Sequence, residues 1–61
     1  MKRKDLLRHL EAHGCAFFRE GKKHTLYKNL ATGAMSAIPR HRVIKRILAH
    51  KICDDLSVPH P

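Results

Sequence analysis

Sixty-one residues make one domain with one thin core, since folding at this length buries only about 60% of the surface that the open chain exposes, and they exclude a deep cofactor pocket. Thirteen Lys and Arg against five Asp and Glu give a formal charge of +8, spread from Lys2 to Lys51. That balance favours a polyanion, nucleic acid first, and a folded domain with charged faces over a disordered basic arm.

No stretch approaches the ~20 apolar residues of a membrane span, and no apolar run follows the N-terminal charges as in a signal peptide. Cys15 and Cys53 lack the Cys-x-x-Cys spacing of a zinc knuckle or a disulfide framework. The expectation is a single cytoplasmic domain over residues 1–61, with reduced, buried thiols.

Leu6, Leu7 and Leu10 recur at helical spacing with Gly14 as a stop, which predicts an amphipathic helix from Lys2 to His13. Cys15-Ala16-Phe17-Phe18-Arg19 is short and aromatic-rich and predicts a strand. Glu20-Gly21-Lys22-Lys23 reads as a turn and His24 to Lys28 as a second strand. Ala31-Thr32-Gly33 marks another turn, and Ala34 to Ile38 a third strand that Pro39 ends by removing a ladder donor. From Val43 onward, Val43, Ile44, Ile47, Leu48, Ile52 and Leu56 trace an apolar stripe that predicts a second helix. The two prolines in Ser57-Val58-Pro59-His60-Pro61 predict an extended tail over 57–61. Helix, three strands and helix in that order make an α+β fold, a three-stranded antiparallel sheet with two helices packed on one face.

The side chains that could carry chemistry are six histidines and the basic residues beside them. His9 and His13 stand four apart, a metal-ligand spacing, but no carboxylate or cysteine pattern completes a site; neither metal nor cofactor is expected. His50 lies beside the apolar stripe and His60 in the tail, and neither needs a function. Arg40, His41 and Arg42 precede the second helix, whose free N–H groups could join them in holding a backbone phosphate; a solvated basic loop is an equally good reading.

His24 differs in its surroundings. Lys22 and Lys23 favour the neutral imidazole, which suits a general base, and the same charges attract a phosphate backbone. A neutral imidazole can take the proton of a ribose 2′-hydroxyl, which then attacks the adjacent phosphorus while cations stabilise the developing charge. On spacing alone, a histidine at a strand start is more often structural or solvated. Alternation puts His24, Leu26 and Lys28 on one face and Thr25, Tyr27 and Asn29 on the other. If Leu26 is core, His24 lies at the edge beside the helices; if Tyr27 is core, His24 points to the open face. Core packing is the expected use of Phe17, Phe18 and Tyr27, with base stacking on the open face as the alternative.

Three segments resemble the HicA family of small toxins from type II toxin–antitoxin pairs, and the resemblance covers essentially the whole chain. They are Lys4 to Cys15, the turn Arg19-Glu20-Gly21-Lys22-Lys23-His24, and Ile38-Pro39-Arg40-His41-Arg42-Val43-Ile44-Lys45, with Ile52-Cys53-Asp54-Asp55-Leu56 closing the second helix. The resemblance implies a fold similar to the double-stranded RNA-binding domain and an mRNA interferase activity. It also implies His24 as the catalytic residue and a cognate HicB-like antitoxin that covers it. RNA contact falls to Arg19, Lys22, Lys23, Lys28, Arg40, His41 and Arg42. Many relatives carry Gly-Ser-His with a second histidine after it, whereas here glycine stands three residues before His24 and Thr25 follows. The donor of the leaving oxygen's proton stays open among Lys22, Lys23, His41 and water. A non-catalytic RNA-binding module and an inactive relative held in a complex are the alternative functions.

Overall fold

A computed structural model describes residues 1–61. Helix α1 (Arg3–Ala12) turns Leu6 and Leu10 inward at a spacing of four, with Lys4, Asp5, Arg8 and Glu11 on its wet side. It ends where Gly14 takes a φ of 87°, a left-handed value that any residue with a Cβ adopts only at a cost.

Strands β1 (Cys15–Glu20), β2 (His24–Asn29) and β3 (Met35–Pro39) follow, and helix α2 (Arg46–Asp55) closes the order α-β-β-β-α. The strands pair antiparallel in the order β1-β2-β3, so β2 is central. Cys15 lies opposite Asn29, Phe17 opposite Tyr27 and Glu20 opposite Thr25; a bulge at Phe18 separates Phe17 from Arg19, which faces Leu26. On the other side His24 pairs with Pro39, Thr25 with Ile38 and Tyr27 with Ser36. Pro39 is the last residue of an edge strand, where its missing N–H costs no ladder bond.

Burial decides which face is inside. Thr25, Tyr27, Asn29, Ser36 and Ile38 face the helices and are buried, whereas His24, Leu26 and Lys28 lie on the uncovered side. Asn29 donates to the Leu56 carbonyl at 2.7 Å and Tyr27 donates to Glu11 at 2.9 Å, so the central strand is tied to both helices across one face.

Two expectations about the core need correction. Phe17 and Phe18 are 54% and 47% exposed and lie outside it. Phe17 is on an edge strand beyond the helices' cover, with its ring edge-on to Tyr27 at 6.4 Å. The bulge turns Phe18 to the open face, where the Lys28 ammonium lies 5.5 Å from its ring. The apolar stripe also starts later than predicted. Val43 and Ile44 lie before the helix, in extended chain whose phase does not continue into it, and α2 buries Ala49, Ile52 and Cys53, with Leu56 directly after it. At 100° per residue that face points away from Ile47, which is 85% exposed.

The last five residues form neither helix nor strand and lie against both helices. Val58 is buried and donates its N–H to the Cys53 carbonyl. His9 bonds the Pro59 carbonyl at 2.6 Å, and His60 bonds Asp54 at 2.7 Å and stacks on His50 at 4.1 Å. Both cysteines are free and buried, and desolvation pushes their thiols up from the ordinary range. No helix is long and apolar enough to cross a membrane.

Candidate functional site

The β1–β2 turn is drawn tight at its first residue. Gly21 donates its N–H to the His24 carbonyl at 2.7 Å, and a Cβ there would sit 3.2 Å from that same oxygen. Lys22 and Lys23 form the exposed tip. His24 opens β2 on the uncovered face, opposite Pro39, and its ring makes no hydrogen bond within the chain. Arg19, Leu26, Lys28, Met35 and Phe18 share that face, giving an apolar patch edged by cations.

Arg40 holds the turn from below. Its guanidinium meets Glu20 Oε1 through Nη2 at 2.7 Å and through Nε at 3.1 Å. It also donates to the carbonyls of Gly21, Lys22 and His24. A planar fork of donors is suited to collecting several carbonyls at fixed angles, which a lysine cannot do. Behind it the Thr25 hydroxyl donates to Glu20 Oε1 at 3.0 Å and accepts from Arg3 Nη2 at 2.8 Å, while Arg3 Nε donates to the Pro39 carbonyl at 2.9 Å. The Arg40 bond, then the Thr25 bond, hold the Glu20 carboxyl below the usual carboxylate range.

Comparison with known proteins finds no match. No family model, no curated protein and no solved structure matches the chain.

The residues singled out in the sequence fall into three groups. His24, Arg19 and Lys28 share the open face; Lys22 and Lys23 sit at the turn beside it; Arg40, His41 and Arg42 lie in the connection from β3 to α2. Arg40, His41 and Arg42 do not stand at the second helix's N-terminus, because the helix begins only at Arg46, after an extended stretch, and Arg40 is turned toward Glu20. From sequence alone Arg3, Glu20 and Thr25 carry no role in the site. The one available signal was Glu20 itself, the sole carboxylate in an otherwise basic turn. His9 and His13 lie with ring centroids 4.4 Å apart, and no group of three or more metal-ligating side chains gathers anywhere.

Chemically, an exposed imidazole with no partner in the chain can exchange a proton with a substrate hydroxyl on an open face. Glu20, the carboxylate of the turn, is held by Arg40 and Thr25. The chain therefore presents His24 with cationic neighbours and no internal acid–base partner.

Proposed function

We propose that this chain is an endoribonuclease toxin of the HicA kind, with His24 as general base. The observation that carries the reading is the placement of His24: an unbonded ring on the uncovered sheet face, next to a turn that presents Lys22 and Lys23 and is braced by Arg40. The imidazole takes the proton of a ribose 2′-hydroxyl, the 2′-oxygen bonds to the adjacent phosphorus, and the bond from phosphorus to the 5′-oxygen breaks. Lys22 and Lys23, with Arg19 and Lys28 on the face, stabilise charge on the phosphoryl oxygens, and the leaving oxygen takes a proton from water or a nearby cationic side chain.

Element order and the one-sided cover by two helices support a likeness to the double-stranded RNA-binding domain. A HicB-like antitoxin lying over the open face would cover His24 together with Phe18, Leu26 and Met35, three exposed or half-buried apolar residues that suit a protein partner. Both the RNA and the antitoxin are cytoplasmic in this reading.

The test is His24→Ala beside the parent, followed by growth and by RNA integrity in cells and with purified protein. Loss of a general base lowers cleavage by about 10²–10⁴-fold, and an exposed position should change stability by no more than about 0.5 kcal/mol. Equal toxicity from two folded proteins refutes the reading. One observation favours the alternative of a non-catalytic RNA-binding module: no second acid–base group meets the His24 ring. That alternative predicts salt-dependent RNA binding that survives His24→Ala and never shortens the RNA.

A further inference from the structure

On the helix side of the sheet end that carries His24 lies a cleft of about 550 Å³, lined by Lys2, Arg3, Lys4, Arg40, Arg42 and Val43. Five of the six lining residues are cations, and no carboxylate is among them. The cleft exists because the chain's first residues pair with the connection between β3 and α2. Arg3 donates its N–H to the Arg42 carbonyl at 2.8 Å, Ile44 donates to the Met1 carbonyl at 2.8 Å, and Lys2 bridges Val43 in antiparallel sense. This ladder brings together two basic segments about forty residues apart in sequence.

The cations divide by role. Arg3 and Arg40 are fixed by bonds to Pro39, Thr25, Glu20 and the turn, so they make a rigid wall. Lys2, Lys4 and Arg42 are exposed, and their side chains form neither hydrogen bonds nor ion pairs within the chain. Glu20 answers Arg40, but Lys2, Lys4 and Arg42 have no counterion and repel one another, and an anion entering the cleft relieves that repulsion. Small-molecule sites of about 300–1,000 Å³ are lined mainly by apolar side chains with only a few polar or charged groups. Here Val43 is the one apolar residue among five cationic ones, a lining that favours an anion. With Arg40 paired to Glu20, four cations remain, and a single phosphate brings at most about two negative charges against them, so a run of phosphates matches the cleft better.

Its position names the polyanion. Arg40 both lines the cleft and donates to the His24 carbonyl, and Arg3 holds the carbonyl of Pro39, the cross-strand partner of His24. The geometry points to a subsite for the phosphodiester backbone of a single RNA strand, flanking the bond presented to His24, with Lys2, Lys4 and Arg42 as its mobile phosphate ligands. This inference rests on the reading of RNA as the substrate.

The test is a triple variant, Lys2→Gln with Lys4→Gln and Arg42→Gln, which leaves the backbone ladder in place. Binding of a short labelled single-stranded RNA is followed by fluorescence anisotropy over a salt series, in a His24→Ala background that prevents cleavage. Losing three phosphate contacts at about 0.7 each lowers the slope of log affinity against log salt by about 2, and lowers affinity at about 0.1 M salt on the order of 100-fold. An unchanged slope from a variant with the parent's melting temperature overturns the subsite. So does displacement of the RNA by a mononucleotide at equal concentration, which marks a site for free nucleotide. A slope that falls while the parent bearing His24 never shortens RNA supports the subsite and removes the nuclease. Shortened RNA with an unchanged slope does the reverse.

Discussion

Asn29 offers the sharpest test of how the scaffold beneath the site is held. It is buried at the end of β2, its Nδ2 donates to the Leu56 carbonyl at 2.7 Å, and its Oδ1 accepts from the N–H groups of Ala31 and Thr32 at 2.9 and 3.4 Å. Asn29→Ala leaves a buried carbonyl without its donor, at about 1–3 kcal/mol, and removes an acceptor shared by two turn amides, at about 1 kcal/mol more. The sum, about 2–4 kcal/mol, compares with a total stability of about 3–9 kcal/mol for a chain of 61 residues. An unfolding entropy of about 2.1 cal/mol/K per residue turns that loss into a fall in Tm of roughly 15–30 °C, read by circular dichroism. A fall under about 5 °C would show that the Asn29 bonds do not hold the end of α2 to the sheet, and would refute the reasoning.

Tyr27 is the single tyrosine, so tyrosinate absorbance reports it alone; burial, then the bond to Glu11, push its hydroxyl up to about 12. With the folded value above the unfolded one of about 10, its contribution to stability is complete below pH ~10 and lost as pH rises toward 12, a loss that Tyr27→Phe should lack in alkaline melts. Arg40→Gln should leave Tm nearly unchanged, quicken amide exchange from Gly21 to His24 and reduce RNA cleavage. Arg40→Lys should fail to restore the turn, because a single ammonium cannot span Glu20 and the three carbonyls. Ile47→Ala should cost less than about 0.5 kcal/mol and Ile52→Ala about 2–5 kcal/mol in denaturant unfolding; comparable costs would put the helix in the other phase.

Local pattern determined the order of elements and placed His24 at the first residue of β2, because helical spacing, strand alternation and turn residues each act over a few neighbours. Gly14 ended α1 for an equally local reason, a left-handed φ, whereas Pro39, expected to stop the third strand after Ile38, stays in β3 as its last residue because on an edge strand its missing N–H costs no ladder bond. Alternation within β2 defined two faces and could not choose between them. That choice came from Tyr27 reaching Glu11 on α1 and Asn29 reaching Leu56 at the end of α2, contacts 16 and 27 residues apart. The phase of α2 was open for a similar reason, since Val43 and Ile44 look helical in spacing but are drawn into a ladder with Met1 and Lys2. Arg40 read as one more phosphate ligand until the tertiary fold set it beneath the turn, 20 residues from Glu20 in sequence and 2.7 Å from it in space. The sequence by itself determined where His24 stands along the chain. Only the tertiary structure decided that its ring meets solvent on the uncovered face, because that depends on which side of the sheet two distant helices bury.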